Sequence, residues 1–106
     1  MRSEEAGTVR AELARRLAAI ERIMGARVAA RRTIPEISAL RAIALSHGLL
    51  PVERLAAGLA LALGTGAGPA SCRPWIEGLC DAIGGTADTA EAADAYVAAV
   101  VVRLGA

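Results

Sequence analysis

The chain has 106 residues, 55% of them hydrophobic, and 26 are alanine. Leu, Ile and Val also number 26 and Phe is absent, a share above the roughly 20% below which a chain tends to stay disordered. One folded domain over residues 1–106 is expected, since domains cluster at about 100–150 residues. All 12 basic residues are Arg, and the chain has no Lys, Asn or Gln. That excludes a Schiff base, a lysine general base and a phosphate-loop lysine, along with the bidentate amide contacts that read adenine.

The formal charge is +1, but it is unevenly spread. Residues 1–54 carry ten Arg against six acids, and residues 55–106 carry two Arg against five acids. Such bipolarity orients partners or favours head-to-tail association, whereas a nucleic-acid domain is usually basic overall, with a pI above about 9. The start, Met1-Arg2-Ser3-Glu4-Glu5, lacks the apolar stretch of a secretory signal, and a cytoplasmic protein is expected. The continuously apolar run Leu55 to Leu63 is nine residues, about half of the roughly 20 needed to span a bilayer.

Hydrophobic periodicity is helical throughout, which predicts an all-α fold, a small bundle of four to five helices with short loops. The first helix spans about residues 4–29, opened by Ser3 with Glu4 and Glu5 in the dipole-favoured first turn. Its stripe is Val9, Leu13, Leu17, Ile20, Met24 and Val28. Arg15 and Arg22 lie opposite this stripe, Arg10, Arg16 and Arg27 lie at its edges, and Arg31 would fall within it, so the helix bends or ends soon after Gly25.

A second helix is predicted from the capping-box spacing Thr33-Ile34-Pro35-Glu36, with Ile34, Ile37, Leu40, Ile43 and Ala44 inward and Gly48 as its left-handed stop. The third runs from Pro51 to Leu63, ended by Gly64. From Leu55 onward it has no polar side chain, the pattern of a helix buried all round or covered by a partner. A Gly-rich, flexible connection leads to a fourth helix capped by Ser71, with Trp75, Ile76, Leu79 and Ile83 inward and Gly84-Gly85 at its end. The fifth, capped by Asp88 with Glu91 three residues on, runs to about Leu104 and presents Ala93, Val97, Val100 and Leu104, widened by Tyr96 and Val101.

Catalytic chemistry finds little support. His47 is the only histidine and sits where it would cap a helix C-terminus. Ser46 beside it would point elsewhere on a helix, so no Ser-His pair is implied. Cys72 and Cys80 are eight residues apart, about 12 Å along a helix, too far for a disulfide and without Cys-x-x-Cys spacing for a metal. Arg73, Glu77 and Asp81 read as a solvated ion-pair row. No catalytic residue, cofactor or metal is expected.

Ala44, Gly48 and Leu49 sit where a helix-turn-helix places alanine, glycine and an apolar residue, and residues 37–60 thus show a partial resemblance to that motif. The would-be recognition helix offers only Glu53 and Arg54 to a groove. The residues favour a non-enzymatic interaction or regulatory module that self-associates as a homo-oligomer. The first helix is its expected partner-facing element, through Leu13, Leu17 and Ile20 with Arg15 and Arg22. A small DNA-associated regulator using residues 37–60 is the alternative.

Overall fold

The computed structural model describes the backbone of residues 3–25 and 30–105. They form five helices: α1 (Ser3–Gly25), α2 (Ala30–Ser46), α3 (Leu50–Gly64), α4 (Pro69–Gly84) and α5 (Ala90–Gly105). The all-α bundle expected from periodicity is therefore what the chain adopts. Among the described residues, α1 packs on α2 and α4, and α3 packs on α2, α4 and α5, so α1 to α4 form a closed ring. The fifth helix lies outside that ring and touches only α3 and α4.

The core follows the predicted stripes. Leu13, Leu17 and Ile20 of α1, Ile37, Leu40 and Ala44 of α2, and Val52, Leu55, Ala56 and Leu59 of α3 form one buried cluster with Cys72, Leu79, Ala82 and Ile83 of α4 and Val100 of α5. With so few aromatics, small residues set the helix spacing. A Cβ at Gly58 would overlap the six-membered ring of Trp75, and one at Gly78 would stand 3.2 Å from both Leu55 and Val100. These two glycines allow the close approach of α4 to α3 and to α5.

Two turns are built alike. Gly48 is left-handed at φ 69°, its N–H reaches the Leu45 carbonyl at 3.2 Å, and the Leu49 N–H reaches the Ala44 carbonyl at 2.8 Å. This is a Schellman turn, and buried Leu49 and Ala44 supply its apolar contact. After α3 the left-handed residue is Gly66 (φ 82°), two residues beyond the expected Gly64. Gly66 N–H bonds the Leu63 carbonyl at 3.1 Å and Ala67 N–H the Ala62 carbonyl at 2.9 Å. The Gly-rich stretch expected to be flexible is thus a short hydrogen-bonded turn.

Three predicted starts move. Residues Ala30–Arg32 are already helical, and Thr33 is only 1% exposed inside α2, so Thr33 and Glu36 form no capping box. Burial of the Thr33 side chain in the core outweighs the local capping preference. At α4, Pro69 takes the first position behind Gly68, and Ser71 is already bonded through its N–H to the Gly68 carbonyl at 3.0 Å. At α5 the cap is Thr89, whose Oγ1 accepts from the Ala92 N–H at 3.1 Å. Asp88 is drawn away by Arg10. Arg27 and Val28, and the side chain of Arg31, lie outside the described residues. The first helix is described from Ser3 to Gly25, and residues 26–29 of its expected span lie outside the described residues.

Candidate interaction surfaces

The expected partner seam of α1 is interior. Leu13, Leu17 and Ile20 are 0%, 2% and 0% exposed because α2 and α4 close over them. Side chains already removed from water within the chain have no surface left to offer a partner. Arg15 and Arg22 are exposed, as the periodicity placed them, and Arg15 pairs with Glu12, which also holds Arg16 at 2.8 Å.

Arg10 has a more specific task. Its guanidinium donates to the carbonyls of Ala82 (3.0 Å) and Ile83 (2.9 Å) and to Asp88 Oδ1 (2.8 Å). One planar fork thereby caps the C-terminal carbonyls of α4 and fixes the connection to α5, and a cation there also favours the helix dipole. Arg10→Ala is expected to cost about 1–3 kcal/mol, because two carbonyls and a carboxylate lose a charge-assisted donor. Arg10→Lys should recover only part of this, since an ammonium lacks the fork. Denaturant titration of the three proteins checks the ranking, and equal midpoints would contradict it.

The charge asymmetry between the two halves is used inside the molecule. Arg10 to Asp88 and Arg54 to Asp94 each join the basic half to the acidic half. Arg41 pairs with Glu53 at 2.7 Å, and Glu77 pairs with Arg103 of α5 at 2.5 Å. The expected row of Arg73, Glu77 and Asp81 is thus broken, with Glu77 pulled across to the neighbouring helix.

His47 and Ser46 come together, against expectation, with Ser46 Oγ 3.1 Å from His47 Nδ1. The reason is that α2 ends at Ser46, so His47 no longer follows helical spacing. Both side chains fold back on the Ile43 carbonyl, Ser46 Oγ at 2.9 Å and His47 Nδ1 at 3.0 Å. A carbonyl only accepts, so each group spends its proton on it, and the arrangement caps a helix end without making the imidazole a base for the hydroxyl. Cys72 is buried and Cys80 exposed, and both are free thiols. Burial pushes the Cys72 thiol pKa up; Cys80 is raised first by burial and then by the carboxylates of Glu21, Asp81 and Glu77. Neither is activated as a nucleophile. No group of three or more metal-ligating side chains occurs among the described residues.

The segment resembling a helix-turn-helix places its second helix at the centre of the fold. Pro51, Val52, Leu55, Ala56 and Leu59 of α3 are buried, and its charged residues Glu53 and Arg54 are held by Arg41 and Asp94. It is nevertheless not covered all round, since Leu61 is 70% exposed.

The largest departure from the expected core is α5. Only Ala93 and Val100 are buried; Val101 is 54% exposed, Val102 71% and Leu104 41%. At about 100° per residue, Ala95, Ala98, Val101 and Val102 fall within one face, and all four are exposed. Among the described residues no helix is long and apolar enough to cross a membrane. Compared with protein-family models, curated proteins and solved structures, the chain matches none.

Proposed function

We propose that the chain is a non-enzymatic interaction module that self-associates through the outward face of α5, a second copy being the partner. The observation that carries this reading is the exposed row Ala95, Ala98, Val101 and Val102, with Glu91 and Asp94 on the same face at its N-terminal end, on a helix that touches only α3 and α4. Valine is a poorer helix former than alanine, and its exposure forgoes about 25 cal/mol for each Å² of apolar surface left in water. Adjacent exposed valines are therefore unfavourable on a solvated helix and favourable on a covered one.

A second copy presents the same apolar row, and apposing the two rows about a two-fold axis removes both sets of valines from water. Such a pairing is isologous and closes as a dimer. We read the module as cytoplasmic, since its two free thiols suit a reducing compartment.

Light scattering across a concentration series tests the reading. The mass should rise from 10.8 kDa to twice that value, equally at low and high salt, because the seam is apolar. A monomer throughout overturns the proposal.

A further inference from the structure

The two terminal helices are anchored very differently. In the shared core α1 buries the large side chains of Leu13, Leu17 and Ile20, whereas α5 buries only Ala93 and Val100. Tyr96 and Val97 pack against the core while staying partly exposed. Val100 seats over Gly78, where a Cβ would come within 3.2 Å of it and of Leu55. Ahead of α5 the Arg10 fork pins the connection, through Asp88 and the carbonyls of Ala82 and Ile83. Further along, Arg54 with Asp94 and Glu77 with Arg103 are solvent-exposed ion pairs, and such pairs contribute little. The helix is thus pinned at its N-terminal end and shallowly held beyond it.

We propose that α5 is a hinged strap that lifts from α3 and α4 as one unit while the ring of α1 to α4 stays folded. The motion belongs to a single chain and is independent of pairing between copies. The ring closes without α5, since α1 packs on α2 and α4, and α3 on α2 and α4. Lifting therefore breaks no contact between ring helices. It exposes only Ala93, Val100 and the covered parts of Tyr96 and Val97, and a segment with so little buried apolar surface opens well below the free energy of global unfolding. The pivot is fixed by Asp88, which Arg10 holds two residues before α5 begins at Ala90, so the last turn of α4 keeps its cap. Once lifted, a lone helix of 16 residues with valine at 100, 101 and 102 is marginal in water, and its amides exchange with solvent. The open state bares Leu55 and Gly78 at the crossing of α3 and α4, so the strap controls access to apolar surface that the closed chain hides.

Native-state hydrogen exchange of the full chain tests the strap, read by mass spectrometry at a dilution where light scattering gives 10.8 kDa. Relative to their intrinsic rates, amides of residues 97–101 should exchange about tenfold or more faster than the slowest amides of α2 and α3. Ile37→Val trims the ring core on α2, which α5 does not touch. It should speed the slowest ring amides about twofold or more and leave α5 unchanged, because the closed and open states lose the same contact. Val100→Ala should speed the α5 amides about fivefold or more, because only the closed state loses that contact. A common rate for α5 and the ring, shifting together in Ile37→Val, would show one cooperative unit and overturn the proposal. Rates that rise smoothly towards Leu104 and ignore Val100→Ala, the behaviour of a fraying end, would overturn it as well.

Discussion

Leu17→Ala is expected to lower stability by about 2–5 kcal/mol, the range for truncating a fully packed leucine, and to leave the solution mass unchanged. Leu17 is 2% exposed in the cluster that joins α1 to α4, so removing its terminal carbons forfeits apolar burial and leaves a cavity that the helices close only in part. Against a total stability of about 5–15 kcal/mol, that is a large fraction. Chemical denaturation measures the loss. A neutral effect on stability coupled to a change in mass would return α1 to the role of a docking helix.

The difference between core and seam is what the sequence could not resolve. Val9, Leu13, Leu17, Ile20 and Met24 have nearly the same spacing in a bundle helix and in a docking helix, because periodicity reports which face is apolar and not what covers it. Helix identity was readable for the same reason, since spacing, Pro and Gly punctuate every element. Starts were less readable where several capping residues stand close together. Asp88 and Thr89 are both good caps, and the choice falls to Thr89 because Arg10, 78 positions earlier, holds Asp88. Val101 and Leu104 looked like core because α5 is apolar on most sides, and only its place outside the ring of α1 to α4 leaves them exposed. Two hollows between α1 and α4 depend on helices distant in sequence, and no local pattern announces them.

Gly58→Ala should also destabilise the fold, by about 1–3 kcal/mol, although alanine is the better helix former by about 1 kcal/mol. The new Cβ would sit within the ring of Trp75, so the indole must swing away from α3 or the helices must separate. The interaction is tested by its sign. In a Trp75→Ala background the overlap is gone, and Gly58→Ala should then stabilise by up to about 1 kcal/mol, giving a strongly coupled double-mutant cycle. Additive effects of the two substitutions would show that the indole does not rest on Gly58.

The central claim is that the apolar surface left for a partner lies on α5 and not on α1, and a single substitution tests it most directly. Val102→Arg places a charge on a side chain that is 71% exposed and outside the core, so the variant should unfold at the same denaturant concentration as the parent when both are diluted to monomer, and earlier than the parent where the parent is a dimer. Its mass by light scattering should be that of a monomer at concentrations where the parent is a dimer. A parent and a variant of identical mass at every concentration would contradict the account.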